Sequence, residues 1–150
     1  MSSSGKKIGP ITTRLWLKGS PAKVWRAVST AAGSKRWYTT PKKLELKKGG
    51  RWDFVGFPGK VLEVKAGKKL VETHQFRPNE APSRITFLVE KQGKATLLTV
   101  THDGFGKKNK FTWQCWSGAW DFILCNLKTY VETGAPIWET CFKGSDEEDA

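Results

Sequence analysis

Residues 111–134 read FTWQCWSGAWDFILCNLKTYVETG. Within them Trp113, Trp116, Ser117, Trp120, Leu124, Leu127 and Val131 recur at steps of three and four. That period belongs to an amphipathic helix, here of about 20 residues. Thr133-Gly134 supplies a C-cap, and Pro136 forbids resumption. A helix with three indoles on one face needs an apolar surface to cover them.

Upstream the period falls to two. Ile11, Thr13, Leu15 and Leu17 alternate with Thr12, Arg14 and Trp16, which predicts a first strand. Ser20 is placed as an N-cap and Pro21 as the first helical residue of a short helix. Gly33 is expected to interrupt it, with one more turn at residues 34–37. Six strands are then predicted, over residues 42–45, 51–55, 60–64, 69–76, 84–91 and 95–102. Short Gly-rich turns separate them and imply an antiparallel meander. Strands followed by a long helix indicate an α+β layer architecture. The sheet must curl around the helix, and the gap between them is a natural small-molecule cavity.

Several segments carry a family resemblance, in this order. They are residues 20–27 (SPAKVWRA), 35–38 (KRWY), 49–54 (GGRWDF), 59–64 (GKVLEV), 99–105 (TVTHDGF), Trp120 and Asn126-Leu127-Lys128. From about Ile11 to Gly134 the chain resembles the SRPBCC or START-like superfamily, the helix-grip fold of the birch pollen allergen. Within it the chain is similar to the family named after the activator of heat-shock protein 90 ATPase. The resemblance implies a curved antiparallel sheet of about six to seven strands wrapped around a long C-terminal helix. Two short helices follow the first strand. It also implies a cavity between sheet and helix. Members of the family bind hydrophobic ligands or act as co-chaperone domains.

The expected organisation is a disordered leader at residues 1–9, one domain at residues 10–143 and an acidic disordered tail at residues 144–150. The 150 residues hold 26 Lys and Arg against 14 Asp and Glu, a net charge of +12. Four of the acids are Asp146, Glu147, Glu148 and Asp149, so residues 1–145 carry 26 bases and 10 acids. Such a field suits an acidic protein partner, such as a chaperone, or simple solubility. Nucleic acid is disfavoured, because the basic clusters fall in separate turns. No apolar run approaches the roughly 18 residues of a membrane span, so no membrane insertion is expected. Cys115, Cys125 and Cys141 form no disulfide framework and no zinc pattern. On one helix Cys115 and Cys125 lie about 15 Å apart and cannot bridge. Reduced thiols point to a cytoplasmic protein.

Chemistry is sought in the aromatic residues and the two histidines. Eight Trp are many for one core. Trp113, Trp116 and Trp120 on the helix, with Trp37, Trp52 and Phe54 at the expected cavity mouth, form a candidate ligand wall. Phe87 and His74 complete it. Arg51 or Arg84 is a candidate to answer an anionic group on the ligand. His74 and His102 lie on strands separated by one other strand, and pointing inward they would share a pocket with Glu63 or Asp53. An imidazole beside a carboxylate can act as a general base. The alternative places His102 as a satisfied residue at a strand end and turns His74 to solvent. No nucleophile elbow, Walker loop, metal-ligand set or cofactor motif is present. The reading therefore favours a non-enzymatic protein binding a small hydrophobic or aromatic ligand, with no cofactor and no metal. The alternatives are a co-chaperone-like interaction module and a cyclase- or hydrolase-like enzyme in the same cavity.

Overall fold

A computed structural model describes residues 7–137. Most of the expected leader and all of the acidic tail lie outside these residues, as does Cys141. The described chain runs β1 (Ile11–Leu17), α1 (Pro21–Ser29), α2 (Ala31–Trp37), β2 (Pro41–Leu44), β3 (Trp52–Phe54) and β4 (Gly59–Lys65). It continues as β5 (Lys69–His74), β6 (Ser83–Gln92), β7 (Ala95–Asp103), a 3-10 turn (Lys107–Asn109) and α3 (Lys110–Thr133). The α+β helix-grip architecture read from the sequence is present.

The seven strands do not form one sheet. Five pair antiparallel in the order β1-β7-β6-β5-β4, and β2 and β3 pair separately. The two units meet through a bridge between Arg51 and Lys60 and the Gly49 N–H donated to the Val61 carbonyl at 2.8 Å. On the strand faces turned inward lie Leu70, Glu72 and His74 of β5, Ser83, Ile85, Phe87 and Val89 of β6, and Leu98, Val100 and His102 of β7. Trp120, Leu124, Leu127 and Val131 of α3 join them in one buried cluster with Leu17, Val24 and Trp37. The helix is longer than its apolar stripe predicts, at 24 residues. Its end is as expected: Gly134 adopts a left-handed φ of 87°, and its N–H returns to the Tyr130 carbonyl.

The short helices break elsewhere than predicted. Ser20 accepts the Lys23 N–H and Pro21 opens α1, as expected. The break falls at Thr30, with φ −124° and ψ 154°. Its hydroxyl donates to the Arg26 carbonyl at 2.6 Å and accepts the Gly33 N–H at 3.0 Å, so one side chain closes α1 and caps α2. Gly33 lies inside α2 for a packing reason. A Cβ there would stand 2.6 Å from the Arg26 carbonyl oxygen and 2.7 Å from the Ala27 Cα. These are backbone atoms and cannot yield cheaply.

Gly33→Ala should therefore destabilise the protein by about 1–3 kcal/mol through overpacking. Helix propensity alone would stabilise the same variant by about 1 kcal/mol. Urea unfolding of the two proteins decides the sign.

Candidate functional site

The interior between β5–β7 and α3 is aromatic, with a polar seam through it. Trp116 lies 4.9 Å from Phe76 and 5.1 Å from Trp120, ring centre to ring centre. Tyr38 packs on Phe54 at 5.0 Å and on Trp116 at 6.2 Å. Phe54 and Phe76 both face His74, and Phe76 and Phe105 face His102. Phe87 meets Trp37 and Trp120 edge to face.

Of the eight predicted wall residues, Phe54, His74, Phe87, Trp116, Trp120 and Trp37 are thus joined through ring contacts. Trp37, Trp52 and Phe54 do not sit at an open mouth: each is at most 3% exposed. The Trp37 indole N–H donates to the Ala27 carbonyl at 2.7 Å. Trp113 stands apart from the ring cluster, its N–H on the Gly9 carbonyl at 3.0 Å. A pocket of about 400 Å³ between α1, α2 and the end of α3 is lined by Arg26, Ala27, Thr30, Tyr130 and Val131, none of them a predicted wall residue.

Both histidines are fully buried, so His74 does not face solvent. One strand, β6, separates them as expected. Their carboxylate is neither Glu63 nor Asp53. Glu63 pairs with Lys69 at 3.2 Å. Asp53 takes the Arg51 guanidinium at 2.6 Å and the Gly59 N–H at 2.9 Å. Burial alone would raise the Asp53 pKa, but the Gly59 amide and Arg51 outweigh it and hold the carboxyl below its ordinary range. The interior carboxylate is Glu72, whose Oε1 lies 3.1 Å from His74 Nε2. Glu72 follows Leu70 and precedes His74 at period two, and this alternation is the sequence signal that would have found it.

His102 has a fixed tautomer. The Trp120 indole can only donate, and its N–H reaches His102 Nδ1 at 3.0 Å. In the neutral ring the proton therefore sits on Nε2, which donates to Ser83 Oγ at 2.7 Å. Burial, then the neighbouring His74, push the His102 pKa down from 6.5 to about 3, against a smaller upward pull from Asp103. With its lone pair already held by Trp120, this imidazole is not placed to take a proton from Ser83.

Two polar atoms in this interior stand apart. The Tyr38 hydroxyl and Glu72 Oε2 are sealed from solvent, and neither has a hydrogen-bond partner among the described residues. Burial, and secondarily the charge of Glu72, hold the Tyr38 pKa above its ordinary range. A buried polar group left unpaired costs about 1–3 kcal/mol. The sequence reading included neither Tyr38, Glu72 nor Phe76 in the wall. Arg51 and Arg84 do not serve it either: Arg84 holds Asp103 at 2.7 Å. Among the described residues, no group of three His, Cys, Asp or Glu converges as a metal site, and no helix is long and apolar enough to cross a membrane.

With this geometry in view, comparison with known proteins places the chain. The family described as Activator of Hsp90 ATPase homolog 1-like protein matches residues 18–132. The chain belongs to that family. Its fold is similar to CalU16 from Micromonospora echinospora, with TM-score 0.72 and 20% identity over 83% of this chain and 77% of that one. The Aha1 dimer from Colwellia psychrerythraea matches with TM-score 0.70 and 25% identity over 83% of this chain and 97% of that one. An HSP90 activator from Plasmodium falciparum matches with TM-score 0.68 and 21% identity over 85% and 98%. No curated protein sequence matches this chain.

The His102 geometry fixes a pH dependence. Between pH 6.5 and about 3 the unfolded chain holds a proton on this ring that the folded chain does not. Stability should therefore fall as pH drops through that window, by up to about 1.4 kcal/mol per unit from this group. His102→Gln keeps an acceptor for Trp120 and a donor for Ser83. Urea unfolding at pH 7 and pH 5 should show a shallower pH slope in this variant. An unchanged slope would remove His102 as the cause.

Proposed function

We propose that this chain is a non-enzymatic binding protein whose interior takes a small apolar or aromatic ligand bearing a hydrogen-bond donor. The observation that carries this reading is the pair of buried, unpartnered atoms, Tyr38 Oη and Glu72 Oε2, inside an aromatic shell. Buried polar groups in folded proteins are almost always paired. A ligand N–H or O–H supplies what Glu72 lacks, and the rings supply apolar contact and, for an amine, attraction for its charge. A carboxylate-bearing ligand would meet Glu72 as a like charge. The anion answered by Arg51 or Arg84 is therefore replaced by a donor answered by Glu72.

Family membership supports a second reading, docking on an acidic partner such as a chaperone. Exposed Lys42, Lys43, Lys47, Lys48 and Lys60 lie on the β2–β3 unit, its loop and the strand beside it. Such binding weakens with salt, because exposed charges are screened over about 10 Å at 0.1 M.

Native mass spectrometry of freshly purified protein should show a stoichiometric extra mass that is lost on denaturation. Tryptamine should raise the melting temperature more than indoleacetate, with roughly tenfold or greater difference in affinity for about 1.4 kcal/mol of discrimination. Tyr38→Phe should raise the stability of the ligand-free protein by about 1 kcal/mol while weakening tryptamine binding. No extra mass together with no response to either probe would overturn the interior site. A destabilised Tyr38→Phe would show that the hydroxyl already has a structural partner.

A further inference from the structure

Tyr38 Oη and Glu72 Oε2 are sealed from solvent, so a ligand can reach them only if part of the fold moves. Of the rings around the polar seam, Phe54, Phe87 and Trp120 are buried, while Phe76 and Trp116 are partly exposed. The interior thus comes nearest to solvent where Phe76 packs on Trp116 at 4.9 Å and over His74 and His102 at 5.7 and 5.6 Å. Phe76 belongs to residues 75–82, which join β5 to β6. This segment is braced within itself. The Glu80 N–H donates to the Arg77 carbonyl, and the Gln75 side chain donates to the carbonyls of Pro78 and Glu80, each at 3.1 Å.

The ties from this segment to the start of α3 run through side chains. Glu80, only 6% exposed, accepts the Thr112 hydroxyl at 2.7 Å and the Asn109 amide at 3.3 Å. Asn109 also donates to the Ala81 carbonyl at 3.0 Å, and the Arg77 guanidinium lies 4.5 Å over the Phe111 ring. The helix depends on Glu80 in return. The first turn of α3 contains no acid, and Asn109 gives it no side-chain cap, its Oδ1 being taken by the Gly106 N–H at 2.8 Å. Lys107, Lys108 and Lys110 add positive charge at the positive end of the helix dipole. The Glu80 carboxylate offsets that charge, so losing it loosens the segment and the first turn together. Trp116 lies one turn beyond Thr112, and the same movement uncovers it.

We propose that residues 75–82 and the first turn of α3 form one cover over the aromatic interior, latched by Glu80 on Thr112 and Asn109, which opens as a unit to admit the ligand. The entry role rests on the reading of the interior given above; the opening does not.

Thiol labelling tests the opening without a ligand. In a background of Cys115→Ser, Cys125→Ser and Cys141→Ser, Ser83→Cys places a thiol at the inner end of the cover, against His102. Its labelling by DTNB tracks the open population when closing is fast. At low urea the rate should not depend on urea, because a local opening exposes little surface. Glu80→Ala should raise that rate roughly tenfold or more, as expected for a lost hydrogen bond to a charged group. Glu80→Gln still accepts from Thr112 and should restore part of the protection. A rate that climbs with urea from the start overturns the proposal, as does a rise in Glu80→Ala no larger than its loss of global stability explains. Hydrogen exchange of the unaltered chain is the second measurement. Residues 76–82 and 110–113 should exchange together and faster than β6 and β7, and unrelated rates for the two segments overturn the cover. In Glu80→Ala the association and dissociation of tryptamine should both become faster. Tryptamine that binds at unchanged rates removes the cover as the entrance. Tryptamine that fails to bind while labelling behaves as expected removes the ligand reading and leaves the cover standing.

Discussion

The Trp120 indole N–H on His102 Nδ1, at 3.0 Å, is a buried, directional contact between the long helix and β7 in the middle of the sheet. Apolar burial holds α3 against β5–β7 but is non-directional, and leaves the helix free to slide. A buried hydrogen bond between a donor-only ring and one imidazole nitrogen restrains it, together with Thr112 on Glu80 and Lys128 on the Trp16 carbonyl. It also sets the tautomer of His102 and so the direction of the next bond, into Ser83. Ser83 pairs across the ladder with His74, whose Nε2 meets Glu72. A line of polar groups thus crosses an aromatic interior, and low dielectric makes its paired members rigid. Its unpaired members are Tyr38 Oη and Glu72 Oε2, the two atoms on which the proposed ligand site rests.

What the sequence made legible follows from period. The alternation in β1, β6 and β7 and the three-four spacing of α3 each report a half-buried surface, and those elements fall where expected. The break between α1 and α2 was misread because Gly33 looks like a helix breaker. Its small size instead serves a close helix contact, and Thr30 does the breaking through its own hydroxyl. The separate β2–β3 unit was not legible, since pairing partners leave no periodic trace. At the site, the tryptophans were visible because large rings are rare. Glu72 was hidden because a charged residue in a strand is normally read as solvent-facing, even between Leu70 and His74. Tyr38 was hidden because its position depends on how α2 ends.

Charge is sorted between surface and interior in a way composition alone does not suggest. The net charge is +12, yet one of the two unpartnered interior oxygens belongs to a carboxylate. Outside, Arg84–Asp103 and Lys69–Glu63 are paired, and such exposed pairs contribute little stability. The long-range field would repel a cationic form of the proposed ligand, so affinity for an amine would have to arise after entry, from the rings and Glu72, and not from steering. A neutral aromatic donor would avoid that conflict and still answer Oε2.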